Sequence, residues 1–344
     1  MTKAMQIYRT GGPEVLTAVD IVLPPPGPRE VRVRHTAIGV NFVDVNYRTG
    51  LYPIALPAIL GNEATGVVES VGSAVREVVP GERVAYCDPT GAYCEARNIA
   101  VDRVAAVPDA ISDEQAAAIM LKGLTASCMV HRCAPIRAGE PVLIQAVTGG
   151  VGLLLCQWAK HLGAITIGTV GSADKAAIAR NHGCDHVISY RDVDFVGEVR
   201  RIAPEGVAAV FDGVGRDTYY GSLDCLRPFG VMVAFGNTSG PLTNLTVRDL
   251  SERGCLFLTR PKLRYYVGDH AALAAAAEEL FALVGAGTLR VDVNHRYALV
   301  DAACAHADLQ ARRTSGSIVL LPCATGQQAG YDAAPVQQPF ATGD

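Results

Sequence analysis

A glycine-rich turn between an apolar run and a helical-looking stretch most constrains the fold of this 344-residue chain. Residues 146–152 read Ala-Val-Thr-Gly-Gly-Val-Gly, after the apolar run 141–145 and before 153–160. In a strand, turn and helix of this kind, backbone N–H groups and the helix dipole can hold a pyrophosphate. Glycines alone would also suit an ordinary tight turn. Because a strand precedes and a helix follows, the sequence predicts a dinucleotide site.

The residues after the second predicted strand, 164–169, indicate which dinucleotide is bound. NAD sites usually carry an acid about 20 residues past the glycines, and this chain has none there. It offers Gly171 and Ser172, then Lys175, with Tyr190 and Arg191 further on. Small residues, a hydroxyl and a lysine suit a 2′-phosphate. The sequence therefore predicts NADPH, the alternative being that these cations are solvated surface residues.

The order of predicted elements indicates two units. Residues 5–107 contain short β-branched segments broken by glycine and proline, which predicts a mostly antiparallel unit. Between 113 and 260 helices alternate with strands, which predicts a doubly wound parallel sheet. The helices are expected at 113–130, 151–162, 173–182, 194–203 and 217–227, and the strands at 141–145, 164–169, 186–189, 207–212 and 230–235. A helix at 269–285 follows, and residues 297–321 are expected to carry another helix and a strand at 317–321.

Composition excludes several classes of function. The chain is 49% hydrophobic with a formal net charge of −4 and has no basic run interleaved with aromatics, so nucleic acid is an unlikely partner. No apolar segment predicts a signal peptide or a membrane span, so we expect a cytoplasmic protein. The ten cysteines include no Cys-x-x-Cys pair, which disfavours a zinc knuckle or a disulfide framework. Residues 323–344 are predicted to form a disordered tail.

Several further motifs occur in the order found in one enzyme family. They lie at 11–16, 39–44, 50–53, 60–64, 91–93, 121–125 and 235–240. Over residues 3–322 the chain resembles the zinc-free NADPH:quinone oxidoreductases, the zeta-crystallin-like group of the medium-chain dehydrogenase/reductase superfamily. The resemblance implies an α/β fold with a β-rich GroES-like catalytic domain at 1–124 and 263–322. It also implies a Rossmann NADPH-binding domain at 125–262.

The chain lacks the residues with which related dehydrogenases bind zinc. Zinc alcohol dehydrogenases of the superfamily use Gly-His-Glu where this chain has Asn62 between Gly61 and Glu63, and they carry a cysteine quartet absent here. An asparagine amide replaces imidazole poorly on zinc. We therefore expect no metal, a structural role for Glu63, and hydride donation to an electron-poor quinone or α,β-unsaturated carbonyl.

The resemblance also implies the site residues. For the pyrophosphate turn they are Ala146, Gly149, Gly150, Val151 and Gly152; for the 2′-phosphate Gly171, Ser172, Lys175 and Tyr190; for other parts of the cofactor Phe235, Gly236, Asn237 and Arg312; and for the nicotinamide and acceptor Asn41, Tyr52 and Thr125. The last three have structural alternatives, since Asn41 could cap a turn, Tyr52 could pack beside Pro53, and Thr125 could bond back to its own helix.

The chain departs from the bacterial family pattern at two places. Asn46 stands where relatives carry tyrosine, with Tyr47 displaced by one position, which predicts a more open and polar acceptor pocket. Val147 and Thr148 replace small alanines in the turn, adding bulk and a hydroxyl that the fold should tolerate.

Three functions stay open: quinone reduction, reduction of an alkenal or enone double bond, and a non-enzymatic NADPH-binding role, structural or RNA-binding. Family members pair through the edge of the nucleotide-binding sheet, so we expect a homodimer through the short apolar strand at 257–259.

Overall fold

A computed structural model of the chain describes residues 1–87, 90–243 and 245–322, and the predicted tail lies outside them. The strands in these ranges are β1 (Thr2–Ile7), β2 (Thr17–Ile21), β3 (Glu30–Val40), β4 (Ala58–Ile59), β5 (Glu63–Val71), β6 (Arg83–Cys87), β7 (Ala96–Ala100), β8 (Val104–Ala106), β9 (Pro141–Ile144), β10 (Ile165–Val170), β11 (His186–Ser189), β12 (Val207–Asp212), β13 (Leu226–Ala234), β14 (Phe257–Thr259), β15 (Val293–Ala298) and β16 (Ser317–Leu321). The α-helices in these ranges are α1 (Phe42–Thr49), α2 (Asp113–Cys128), α3 (Gly150–His161), α4 (Ala173–Asn181), α5 (Phe195–Ile202), α6 (Tyr219–Asp224), α7 (Val247–Glu252), α8 (Leu263–Tyr266), α9 (His270–Gly285) and α10 (Ala302–Gln310).

The nucleotide-binding unit is a parallel sheet. Its six described strands run in the order β11-β10-β9-β12-β13-β14, and every pair is parallel. The chain order reverses between β9 and β12, which makes the carboxyl ends of these strands the expected ligand-binding edge. The prediction of a doubly wound parallel sheet is confirmed, with β14 as an edge strand.

One pair of predicted elements has different bounds. In place of the helix predicted over 217–227, the structure has the shorter α6, Tyr219–Asp224. Strand β13 begins at Leu226, four residues before the predicted start at residue 230. Leu226 pairs with Val207 of β12, and the register then shifts between Val207 and Ala209. Strand pairing in the core therefore overrides the local helical pattern.

The β-rich unit holds two sheets of described strands. One has the order β2-β1-β4, and the other runs β15-β16-β3-β5-β6-β8 with β7 paired to β3. Every pair is antiparallel except β15 with β16. The mostly antiparallel prediction is confirmed, although β4, β15, α1, α7 and α8 were not foreseen.

Helix α2 joins the two units. It begins with a capping box in which Ser112 and Gln115 each accept a hydrogen bond from the other's backbone N–H. Its buried residues belong to one hydrophobic cluster with Ala37 of β3 and Val142 of β9. The expected boundary at residues 124 and 125 lies inside this helix, so we propose that the two domains share it. None of the helices in the described residues is long and apolar enough to cross a bilayer.

Candidate active site

The glycine turn is held open by a close backbone approach. Ala146 has a left-handed φ of 53°, and its N–H donates to Thr169 Oγ1 at 3.0 Å. A Cβ on Gly152 would lie 2.6 Å from the Val147 carbonyl oxygen, so only glycine fits there. Gly149 precedes α3 and has no side chain to occupy its first amides. The turn therefore presents a helix N-terminus to an anion.

The two departures in the turn are accommodated by the fold. Val147 is fully buried, and its Cγ1 would lie 2.6 Å from a Cβ placed on Gly168. Glycine in β10 thus makes room for the extra bulk of Val147. Thr148 is also buried, with 5% exposure.

The predicted 2′-phosphate residues come together beyond β10. Lys175 Nζ donates to the backbone oxygen of Arg312 at 3.4 Å. Burial, and then the charges of Arg312 and Arg191, lower the pKa of Lys175. Clustered cations of this kind attract an anion. This grouping fits a 2′-phosphate better than separate solvated cations do.

The neighbouring residues shape this phosphate site. A Cβ on Gly171 would lie 2.8 Å from Tyr190 Oη, so the tyrosine lies directly over the glycine. Ser172 caps α4, and its Oγ accepts from the N–H of Lys175 at 3.4 Å. The residues named from the sequence, Arg191 included, therefore lie near one another, and their binding of a 2′-phosphate stays a prediction.

The C-terminal segment of the β-rich unit completes the cofactor side. Arg312 lies between α10 and β16 with a φ of 58°, and Gly316 forms an isolated parallel bridge with Gly149. Both units therefore contribute to the region around the glycine turn.

The loop after β13 packs on the loop after β12. The N–H groups of Phe235 and Gly236 donate to the Asp212 carbonyl oxygen at 2.9 and 3.3 Å. A Cβ on Gly236 would lie 2.2 Å from the Gly213 oxygen, so this contact requires glycine. The packing presents the next residue, Asn237, toward the β-rich unit.

Tyr52 reaches across from the β-rich unit to meet Asn237. Its hydroxyl accepts hydrogen bonds from Arg260 Nη2 at 2.9 Å and from Asn237 Nδ2 at 3.3 Å. Arg260 Nη1 also donates to Asn237 Oδ1 at 3.1 Å. A phenol has two acceptor lone pairs and one proton. Because both lone pairs accept, the Tyr52 proton is available to a bound acceptor.

Sequence reasoning missed Arg260. It follows β14 directly and so lies at the same carboxyl edge of the sheet as Asn237. A basic residue after an edge strand resembles a surface cation, but its place at the ligand-binding edge was a usable signal.

An apolar cleft of about 460 Å³ opens beside these polar groups. Tyr52, Asn237 and Arg260 form its polar side, and the other lining residues are Ala234, Pro241, Leu242, Leu245, Leu258 and Thr259. One polar end and an apolar wall are the usual composition of a small-molecule site.

Tyr47 supplies the aromatic ring next to Tyr52. Their centroids are 5.6 Å apart with the rings at 76°. Asn46 is buried at 7% exposure, and its carbonyl oxygen accepts from the N–H of Tyr52 at 3.0 Å. The end of α1 therefore positions Tyr52 through a ring contact and a backbone hydrogen bond.

Asn41 and Glu63 belong to a buried polar cluster. Glu63 is fully buried; its Oε1 accepts from Asn41 Nδ2 at 2.8 Å and from Lys122 Nζ at 2.6 Å, and its Oε2 accepts from the Leu121 N–H at 2.6 Å. Burial and pairing of this carboxylate fit the structural role expected for Glu63. Sequence reasoning missed Lys122, whose side chain lies against Gly150 of the turn.

Two predicted roles meet their structural alternatives here. Thr125 Oγ1 donates to the Leu121 oxygen at 2.6 Å, the back-bond expected of a helical threonine. Asn41 is the N-cap residue of α1, and its N–H donates to Asp44 Oδ2 at 2.8 Å. Asn62 is buried, and in the described ranges no cluster of three or more histidine, cysteine or acidic side chains could hold a metal.

Two family profiles match the chain. The profile described as Alcohol dehydrogenase GroES-like domain covers residues 27–132, and that described as Zinc-binding dehydrogenase covers residues 150–274. They confirm the predicted order of a GroES-like unit followed by a nucleotide-binding unit.

Characterised relatives match nearly the whole chain. A quinone oxidoreductase of Pseudomonas aeruginosa is 48% identical over 325 residues, which is 94% of this chain and 100% of the relative. The structure of Escherichia coli quinone oxidoreductase complexed with NADPH has a TM-score of 0.91 at 45% identity, covering 94% and 100% of the two chains. A 2-haloacrylate reductase of a Burkholderia species is 42% identical, covering 94% and 99%. The chain belongs to the quinone oxidoreductase family of the medium-chain dehydrogenase/reductase superfamily.

Proposed function

We propose that this chain is an NADPH-dependent quinone reductase that uses no metal. The observation that carries the proposal is the contact of Tyr52 with Asn237 and Arg260, because it places a phenol at the carboxyl edge of the nucleotide-binding sheet. The adjoining apolar cleft has room for a planar acceptor.

The residues present fit NADPH. The glycine turn, which a Cβ at position 152 would fill, receives the pyrophosphate through backbone N–H groups. Lys175, Arg312 and Tyr190 hold the 2′-phosphate. When bound, NADPH supplies a hydride from C4 of its nicotinamide.

Tyr52 acts on the acceptor side. Its free proton is donated to a carbonyl oxygen of the quinone, where negative charge develops during reduction. The guanidinium of Arg260, 2.9 Å from the phenol, stabilises that charge. Leu242, Leu245 and Leu258 supply an apolar wall beside these groups, against which a planar acceptor can pack. These groups supply the polarisation that a zinc ion would otherwise provide.

A second candidate is reduction of an activated carbon–carbon double bond. The relative named 2-haloacrylate reductase favours it, since that name describes an α,β-unsaturated acid as substrate. An enone or alkenal presents a carbonyl oxygen to the same Tyr52 proton. The proposed site therefore admits both acceptor classes.

We further propose that the chain forms a homodimer through β14. This edge strand pairs with β13 on one side, and Phe257 is 59% exposed. An exposed edge with an apolar side chain is stabilised by pairing with a second sheet.

Steady-state NADPH oxidation with a panel of quinones and enals tests the proposal. We expect turnover with quinones at a kcat/KM well above that for enals. The reverse order would assign the double-bond reduction. NADPH binding without oxidation by any acceptor would leave the non-enzymatic role, structural or RNA-binding, in its place.

A further inference from the structure

The end of α2 brings two cysteine sulfurs within 3.9 Å of each other. Cys128 is the last residue of α2, and Cys133 ends the π-helical turn Met129–Cys133. On an ordinary α-helix, residues five apart point about 140° away from each other. A π turn instead closes between residues five apart, as the hydrogen bond from the Ala134 N–H to the Met129 oxygen shows. The π turn therefore brings the two thiols to one side of the helix.

The two thiols differ in exposure. Cys128 is 5% exposed, whereas Cys133 is partly open to solvent. The Cys128 thiol lowers the pKa of Cys133 by hydrogen bonding to its sulfur, and the same contact, together with burial, raises the pKa of Cys128. Since the thiolate is the reactive form, Cys133 is the sulfur that meets an oxidant first.

We propose that Cys128 and Cys133 form a redox-sensitive pair that hydrogen peroxide converts into a reversible disulfide. The Cys133 thiolate attacks one peroxide oxygen, the O–O bond breaks, and the departing hydroxide takes up the proton that the thiol had released, so that a sulfenic acid and water form. The Cys128 sulfur then attacks the sulfenic sulfur; the S–S bond forms, the S–O bond breaks, and the hydroxide leaves with the Cys128 proton as a second water. One peroxide is thus reduced to two waters while two thiols lose two hydrogens. Neither residue takes part in the proposed reduction of the acceptor.

The contacts of the π turn show which helices a Cys128–Cys133 disulfide would affect. His131, inside the π turn, lies 3.1 Å from Glu279 of α9, and its ring is 5.7 Å from that of Trp158 on α3. A disulfide requires the sulfurs to approach to about 2.05 Å. Oxidation therefore tightens the turn at the end of α2, which contacts α9 and α3 through His131.

A second cysteine pair serves as an internal control. Cys156 and Cys184 are also in side-chain contact, but both are buried. Peroxide cannot reach them without unfolding of the chain, so they should stay reduced in the same sample.

Tryptic mapping of peroxide-treated full-length protein tests the proposal. Trypsin cleaves after Lys122, Arg132 and Arg137, which puts Cys128 and Cys133 on separate peptides, 123–132 and 133–137. We expect these peptides to be joined, lighter together by two hydrogens, and separated again by dithiothreitol. The Cys133→Ser variant should leave peptide 123–132 as a free thiol.

Three outcomes would overturn the proposal. Both thiols could stay as unreactive as Cys156 and Cys184, or Cys133 could proceed to sulfinic acid without joining Cys128. Alternatively, Cys133 could link to the exposed Cys255 or Cys304. The mapping is repeated in the Cys255→Ser/Cys304→Ser variant, which lacks those two thiols. A link between peptides 123–132 and 133–137 in this variant distinguishes the Cys128–Cys133 disulfide from the last outcome.

Discussion

Replacing Lys175 with alanine tests the assignment of the phosphate site. The ammonium supplies a charge-assisted hydrogen bond to a 2′-phosphate, which contributes about 1.5–3 kcal/mol. In the free protein, burial and then the charges of Arg312 and Arg191 lower the pKa of Lys175, so its removal relieves some repulsion. We therefore expect a net loss in the lower half of that range, about 10- to 40-fold in the Kd for NADPH.

The assay is direct titration of NADPH and of NADH into the wild type and two variants. Lys160→Ala is the matched control, because Lys160 lies in the same domain and pairs with Asp185 on the surface. NADH has no 2′-phosphate, so its Kd should hardly change in Lys175→Ala. Equal losses for both cofactors would show that Lys175 does not contact the phosphate.

Other predictions concern the phenol, the metal, the assembly and a buried acid. Tyr52→Phe keeps the ring contact with Tyr47 but removes the hydroxyl, so transition-state stabilisation should fall by about 2–4 kcal/mol with NADPH affinity unchanged; a change in kcat/KM below about twofold would leave Tyr52 as packing. Purified protein should hold no stoichiometric zinc and stay active in chelator, whereas a tightly held zinc whose removal abolishes activity would contradict this. Light scattering at micromolar concentration should give a dimer, and a monomer would refute the β14 interface. Burial raises the pKa of Asp44 from 3.8 to about 7, so the folded state keeps a proton that the unfolded state releases, and the unfolding free energy should fall as pH rises from about 4 to about 7. Chemical unfolding of Asp44→Asn should lack this component, and an unchanging difference from wild type across that window would exclude it.

Local patterns predicted the parallel sheet well. Strands such as β11, β12 and β14 have the predicted bounds, because continuous apolar runs between turn residues are typical of buried parallel strands. Two-residue β4 and the exposed alternation of β15 carry too little apolar signal to be recognised. Strand β13 begins before its predicted start because Leu226 pairs with Val207 of β12, a contact that the local sequence pattern does not indicate.

Candidate site residues could be predicted from the sequence where they belong to one continuous motif. The glycine turn and Lys175 lie in continuous segments with a clear physical role. Lys122 and Arg260 were missed, because their significance depends on a distant partner: Glu63 for the first and Tyr52 for the second. For Thr125, the structure shows a hydrogen bond from its hydroxyl to its own helix, and its predicted place beside the nicotinamide stays a prediction.

The contact of Lys175 with Arg312 joins residues 137 positions apart in the chain. During synthesis, the glycine turn leaves the ribosome long before Arg312 does, so a nascent chain has no complete phosphate site. On the proposed assignment of the phosphate site, NADPH stabilises most a chain whose last strands have docked. Cofactor affinity is consequently a measure of complete folding, and a chain cut before Arg312 would lose that stabilisation while keeping its glycine turn.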